Sequence, residues 1–476
     1  MISNKKYIGM VRGAARLLTL AFFTTALTGC GLYKKYERPE VNVNGIVRDT
    51  ASIDAVLNAS ADTTNFGDVA WQQVFTDPQL QALIRQALEH NYDLLNAAEN
   101  VKMAEAQLST ARLAFLPSFV FTPSGTLSKV LSGDYKSDWS KTYQLPVTAS
   151  WNVDLFGNLL SQNRSAKVAL IATQDYQQAV RSRIICGVAN CYYTLLMLDR
   201  QLQLIGEMKQ LTHDTWDMMK LQKELRGARE TSVVAAQSAY LSIQSQEIDM
   251  QRQIRETENT LSLLLGKAAG SIQRGRLEDQ QLPVDFATGV NLALLSNRPD
   301  VHAAEMTMAE CFYDVETARS RFYPSLSISA TGAFTNSLGS IVANPGQWIA
   351  NFVAGLTQPL FQNGKIVAGL KVAKAQYQQA YNQWEYSLLS AGSEISNALV
   401  LYNSSQQKSI VDRENVEVLQ KSVDYTRQLF KMGSSSYLEV ITAQQNLLNA
   451  QLTQVADDFN KMQAVVNLYS ALGGGR

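Results

Sequence analysis

The chain has 476 residues and carries 42 basic against 42 acidic side chains, so its formal net charge is zero. That length leaves room for two to four ordinary domains, and the even balance argues against a nucleic-acid partner, because phosphate binding wants a basic surplus. His90, His213 and His302 are scattered with no ligand at metal spacing and the twelve methionines are dispersed, so no metal site and no dedicated copper or silver path is expected, and Met208, Met218 and Met219 read as packing.

The first predicted element is a processing signal. Lys5, Lys6, Arg12 and Arg16 form a basic head, and Leu17–Leu27 is an apolar stretch too short to span a bilayer stably. It ends in Leu27-Thr28-Gly29-Cys30, with an apolar residue at −3, a small one at −1 and Cys at +1, the pattern of a bacterial lipobox. Residues 1–29 are therefore expected to be a signal peptide. Cys30 would be the mature N-terminus, carrying covalent diacylglycerol and N-acyl lipid and no other cofactor. Gly31 follows, not the Asp that retains enteric lipoproteins at the inner membrane, so the outer membrane is expected. Residues 30–75 would be a lipid-anchored linker. Of the remaining cysteines, Cys186 and Cys191 lie five apart on a predicted helix and point away from one another; with Cys311 they read as small buried residues.

Next come a short helix over about Pro78–Phe115 and, later, its counterpart over about Leu292–Phe322; Asp77-Pro78 and Asn297-Arg298-Pro299 mark their starts. Prolines are absent between 147 and 282 and after 359. Both runs are rich in Ala, Gln, Leu, Glu and Lys, and proline inside a helix costs about 3 kcal/mol, so both read as helical. Each has one break, at Arg226–Ser232 and at Met432–Ser436. There a Gly ends one helix and Thr or Ser is expected to cap the next. Each run is thus a helical hairpin, with descending arms of roughly Gly157–Leu225 and Gly364–Lys431 that are about 100 Å long.

Between each short helix and its long hairpin the period changes to two. In Tyr143–Asp154, Tyr143, Leu145, Val147, Ala149, Trp151 and Val153 alternate with polar residues and Pro146, and Ser325–Phe334 alternates in the same way. Phe119–Leu127 and Ile349–Leu356 are weaker partners. Ten-residue alternating strands with aromatic ends suit a transmembrane barrel. Four strands cannot close alone, and open edges cannot remain in lipid. Assembly with other copies is required; two copies would give eight strands and three would give twelve.

The whole pattern occurs twice. Asp93, Ala97, Ala111, Pro117 and Ser118 recur 207 residues later as Asp300, Ala304, Ala318, Pro324 and Ser325, which reads as an internal two-fold repeat of a supersecondary assembly. The first copy is assigned to 76–270, with strands at about 117–130 and 142–155. The second is assigned to 271–476, with strands at about 324–336 and 348–361.

These residues resemble the outer-membrane factor family, the TolC-like exit ducts of tripartite efflux pumps, and most of all its lipoprotein (NodT-type) form. The resemblance is carried by Trp71 with Phe75-Thr76-Asp77-Pro78, by Trp151–Gly157, by Arg298-Pro299-Asp300-Val301 with Ala304-Glu305, by Tyr323-Pro324-Ser325, by Pro359-Leu360-Phe361 with Gly364, and by Tyr469–Gly475. It covers nearly everything after residue 70. It implies a mainly α fold with a transmembrane β-barrel part: a homotrimer giving four strands per chain to a twelve-stranded barrel, continued by a long α-helical coiled-coil barrel. It also implies a periplasmic adaptor protein, an inner-membrane RND-type transporter and outer-membrane lipid as partners. The hairpin turns around Gly227 and Gly433, with Leu438 and Val440 capping the returning helix, would be the adaptor-docking tips. Ala228 and Ser434 stand where the family has an apolar residue after the tip glycine. The closed gate would be a ring of carboxylates, with Asp214, Asp217, Glu417 and Asp424 as candidates. No nucleophile elbow, P-loop or metal cluster is found, so no enzyme is expected. The competing readings are an exit duct for type I protein secretion and, from another class, a lipid-anchored coiled-coil scaffold without a pore.

Overall fold

The computed structural model describes residues 34–40, 66–129, 139–225, 227–280, 298–335 and 347–475. The expected signal peptide, Cys30, much of the linker and positions 292–297 lie outside the described residues. In chain order the elements are α1 (Trp71–Val74), α2 (Pro78–His90), α3 (Tyr92–Leu113), β1 (Ser118–Phe121), β2 (Ser124–Ser128), β3 (Ser140–Val153), α4 (Asn158–Glu224) and α5 (Glu230–Leu264). They continue with α6 (Pro299–Ser320), β4 (Ser325–Thr335), β5 (Gln347–Thr357), α7 (Lys365–Lys431) and α8 (Tyr437–Ala471). The helices α3 and α6 have 22 residues each, α4 and α7 have 67 each, and α5 and α8 have 35 each. The second member of every pair starts 207 residues after the first. No described helix is long and apolar enough to cross a membrane.

The chain forms two compact units. One holds residues up to Glu40, Val101–Thr173 and Ala304–Trp384; the other holds Val41–Asn100, Gln174–Ala303 and Glu385–Arg476. The first contains one antiparallel sheet, in which β1 and β2 both pair with β3, β3 pairs with β4, and β4 with β5. In the second, α4 buries Ile185, Val188, Ala189, Tyr192, Leu195 and Leu196, an i, i+3, i+4 stripe. The matching stripe on α8 includes Ala464, Val465, Leu468 and Tyr469.

Several expected boundaries move. The first short helix is two helices, broken at Asn91, whose backbone is extended. The Asn91 Oδ1 accepts from the amides of Asp93 and Leu94 at 2.9 and 3.2 Å, and its Nδ2 donates to the Leu264 carbonyl at 2.9 Å. One side chain thus starts α3 and ties it to the end of α5. The expected strand at 117–130 is interrupted between Phe121 and Ser124, where Pro123 removes an N–H from the ladder. The last strand stops at Thr357, before Pro359. Cys186 is buried, with its thiol pushed up to about 12 by burial, but Cys191 and Cys311 are only half-buried; all three are free.

Charge clamps hold each unit. In the first, Arg38 Nε donates to the buried Glu305 carboxylate at 2.8 Å and Tyr36 packs edge-on against Phe312, which fastens residues 34–40 to α6. In the second, the Tyr192 hydroxyl donates to Asp77 at 2.5 Å and accepts from the Gly275 amide at 3.0 Å. Burial alone would raise the Asp77 carboxyl, but the hydrogen bonds from Tyr192, Gln280 and the Gln79 amide outweigh it and hold it below the usual range. Arg274 bridges Asp199 at 2.5 Å and Glu258 at 2.6 Å, fixing the segment after α5 against α4. Arg298 joins Asp300, Glu394 and the Ala471 carbonyl, at 2.7, 2.9 and 2.8 Å.

Arg274→Met should leave Glu258, whose side chain is 14 % exposed, as an uncompensated buried charge. The expected loss is about 3 kcal/mol, read as a lower thermal midpoint by circular dichroism. Asp199→Asn, at a 37 % exposed position, should cost below about 1 kcal/mol. Equal losses would mean that the clamp is not what the Arg274 change removes.

Candidate functional site

The sheet has two faces of opposite chemistry. Its register is constant: Val147 faces Phe121 on one side and Gly332 on the other, and Gly332 faces Ala350. Side chains alternate across a strand. One face therefore collects Phe119, Phe121, Leu145, Val147, Ala149, Trp151 and Val153 with Leu326, Ile328, Ala330 and Phe334, and Trp348, Ala350, Phe352 and Leu356 from β5. Trp348 and Phe352 on this face are 80 % and 82 % exposed, which no folded chain in water would choose for so many large apolar groups together. An apolar hollow on it is ringed by Phe121, Leu145, Val147, Phe334 and Trp348. The other face carries Gln144, Thr148, Ser150 and Asn152 beside Ser325, Ser327, Ser329, Thr331 and Asn351, with Thr148 and Thr331 hydrogen-bonded at 3.0 Å and with Val120, Ile349 and Val353 interspersed toward the edges. Among the described residues no charged side chain, His or Met occurs on it.

Aromatic residues mark both ends of the strands. Trp151 donates its Nε1–H to the Phe115 carbonyl at 2.9 Å, and Phe156 stacks on Tyr323 at 5.1 Å. At the opposite end Phe334 meets Trp348 edge-on. Among the described residues β5 and the β1/β2 position each pair on one side only, so the sheet ends in two unsatisfied ladders.

The two helical turns differ. Gly433 has φ +77°, and the Ser434 amide donates to the Leu429 carbonyl at 2.9 Å, closing α7 as a left-handed C-cap. Ser436 and Glu439 then make a reciprocal capping box that starts α8. In the first copy the Gly227 amide donates to the Gln222 carbonyl at 2.8 Å, and a Cβ on Gly227 would meet that oxygen at an ordinary 3.5 Å. The expected Thr or Ser cap is not used there: Arg229 is the N-cap with no side-chain bond, and Thr231 and Ser232 lie inside the first turn of α5. An ion pair from Lys223 to Glu230 spans that turn instead. Leu438 is 71 % exposed, but Val440 is buried at 2 % and packs inward.

All four gate candidates are exposed on the long helices. Asp214 accepts from Gln210 at 2.8 Å and Asp424 from Gln420 at 3.4 Å. Asp217 is held by Lys220 at 3.0 Å and His213 at 3.2 Å, and the Lys220 hydrogen bond keeps its carboxyl below the usual range. These contacts stay within one helix. Nearby, Met219, Val233 and Ala236 pack with Trp216, Phe430 and Tyr437, and Lys220 lies over the Trp216 ring at 3.3 Å. The sequence reading missed this aromatic brace, although Trp216, Tyr240, Phe430 and Tyr437 flank both turns.

Two stretches, residues 83–267 and 292–474, match the family described as outer membrane efflux protein. The chain is similar to the cation efflux system protein CusC of Escherichia coli O157:H7, with 28 % identity over 94 % of this chain and 96 % of that one. It is also similar to the toluene efflux pump outer membrane protein TtgC of Pseudomonas putida, with 27 % identity over 96 % and 95 %. A crystal structure of CusC, described in terms of folding and transmembrane channel formation, superimposes with a TM-score of 0.80 at 25 % identity, covering 93 % of this chain and 99 % of that one.

The two turns should respond differently to loss of a hydroxyl. Ser436→Ala should weaken the first turn of α8 by about 1 kcal/mol, seen as faster amide hydrogen exchange there. Thr231→Ala should leave exchange in α5 unchanged. A comparable loss at Thr231 would contradict the capping assignment.

Proposed function

The chain belongs to the outer membrane efflux protein family, and from that premise we propose that it is the exit duct of a tripartite efflux pump, working as a homotrimer. The observation that carries this is the two-faced sheet with both edges unpaired. In lipid every backbone polar group must find a partner. Joining β5 of one copy to the β1/β2 edge of the next satisfies both edges at once. Three copies make a twelve-stranded barrel; two would make an eight-stranded one, whose interior side chains alone would fill. The apolar face then meets lipid and the Ser, Thr, Asn and Gln face lines a water-filled path.

The long helices α4 and α7 with their returning partners would form a coiled-coil tunnel in the periplasm. The turns around Gly227 and Gly433, with the exposed Leu438, would meet the hairpins of a periplasmic adaptor, and Val440 supports that surface from within. Carboxylates from Asp214, Asp217, Glu417 or Asp424, repeated by threefold symmetry, would narrow the tunnel and favour cations. An inner-membrane RND-type transporter supplies the driving force, and Cys30 supplies the lipid anchor. The similar proteins are named for cation and for toluene efflux. Among the described residues the polar face carries no His, Met, Cys or carboxylate, and a permissive duct whose pump selects the cargo fits that lining.

Purified protein should run as a heat-modifiable trimer and conduct ions in planar bilayers; a soluble, non-conducting coiled coil would sink the duct reading. Deleting the gene should raise susceptibility to drugs, metals or bile salts. Loss of a secreted protein with no change in susceptibility would assign it to type I secretion. Charge reversal to Lys at the true gate residue should raise single-channel conductance, and unchanged conductance at all four positions would dismiss the gate candidates. Cys30→Ser should lose the acyl mass and palmitate label.

A further inference from the structure

One place in the second unit sets a half-buried carboxylate against a buried one, with a single long ion pair to Lys408 for both. Asp457 on α8 is 4 % exposed, and Asp412 on α7 lies against it. The Oδ2 atoms of both are buried and, among the described residues, neither receives a hydrogen bond. The other Asp457 oxygen has only long contacts, to Lys408 Nζ at 3.5 Å and Asn460 Nδ2 at 3.4 Å. Lys408 is 64 % exposed, so much of its charge is spent on water. Asp458 adds a third carboxylate, which accepts from Ser409 at 2.9 Å. Two ionised carboxylates facing each other with no donor between them repel at close range. A single proton removes the problem, since the protonated oxygen becomes a donor to its neighbour.

The first copy shows that the fold does not need this pair. The positions 207 residues earlier are Ile205 and Met250, with Ile205 1 % exposed. The equivalent positions on the long helix and its returning partner are therefore apolar in one copy and acidic in the other.

We propose that Asp412 holds a proton that it donates to Asp457, making the contact between α7 and α8 a proton-sensitive fastening present in the second copy alone. Burial, and then the hydrogen bond to Asp457 and its charge, push the Asp412 carboxyl above its usual range. A folded-state pKa raised above the unfolded value means that the proton stabilises the fold. Its contribution is complete below the ordinary aspartate pKa of about 4 and is lost as pH rises through the raised value. The charged groups acting on the pair are Lys408 on α7 and Asp458 on α8. On α4, which reaches α8 where Gln201 donates to the Leu452 carbonyl at 3.5 Å, the flanking Asp199 and Arg200 are already paired with Arg274 and Glu278. The fastening loosens, then, when its proton leaves, because the ion pair that remains, Lys408 Nζ to Asp457 at 3.5 Å, is long and Lys408 is largely solvated. The same helix carries Glu417 and Asp424 further along.

The test uses the full-length protein in detergent, with Asp412→Asn, Asp457→Asn and the double change Asp412→Ile with Asp457→Met, which copies the first repeat. Wild type should lose thermal midpoint as pH rises from about 4 to about 8, and each variant should flatten that slope. Infrared spectra of wild type should keep a protonated carboxyl band above the ordinary aspartate pKa, and Asp412→Asn should remove its Asp412 component, leaving what Glu310, Asp314 and Glu316 contribute. Equal slopes in wild type and variants, or a wild-type spectrum without that band, overturn the proposal. If an Asn variant fails to fold, the apolar pair still decides, because it must fold and lose the slope. Both readouts are independent of transport, so they stand even if the duct reading fails.

Discussion

Everything in this structure depends on a sheet that cannot exist alone in the medium its surface demands. One face presents Phe, Trp, Leu, Ile and Val side chains, which belong in lipid, while β5 and the β1/β2 position end in unpaired ladders, which lipid does not tolerate. Either property by itself would be ordinary. Together they make the isolated chain incomplete and turn assembly into a condition of folding in the membrane. The helices follow from the same constraint. Helices of 67 residues with scattered exposed apolar groups, such as Leu221, Val400, Val418 and Leu429, are stable only when bundled.

Much of this was legible in the residues. Two proline-free runs interrupted once by Gly place the long helices to within a residue or two of Asn158–Glu224 and Lys365–Lys431, because proline and glycine act on the chain locally. The strands were legible because a period of two leaves no other way to separate Trp151 from Asn152. What failed involved side chains acting at a distance or twice. Asn91 breaks a helix by capping the next one while holding Leu264, 173 residues away. Thr231 and Ser232 look like caps, yet Arg229 takes the N-cap place and α5 begins two residues before a Thr231 cap would start it. Val440 follows the tip closely enough to suggest exposure, but a helix turns 100° per residue, and it faces inward where Leu438 faces out.

The clamps belong to the same category. Arg274 joins Asp199 across 75 residues and Arg298 reaches the Ala471 carbonyl across 173. No local pattern announces them, since an arginine in a loop looks alike whether solvated or buried. Their common role is to hold the chain where secondary structure ends, as at Asp77, Gly275 and Ala471. The contrast between Ile205 with Met250 and Asp412 with Asp457 shows how two copies of one scaffold diverge. Helix lengths stay matched while the residues at equivalent positions change from apolar to acidic.

The count of strand positions has a further consequence. β1 and β2 run opposite to β3, as does β4, and β5 runs opposite to β4. The first and last positions therefore point in opposite directions. Identical copies set side by side meet antiparallel at every seam, and the ring can close with any number of copies without a parallel joint. An odd number of positions would force a parallel seam between each pair of neighbours, weaker per residue. Pro123 lies at that seam and leaves a gap in its hydrogen bonding. In the proposed assembly the joint between subunits would then be the least regular line in the wall, and the place where a barrel assembled from separate chains would open first.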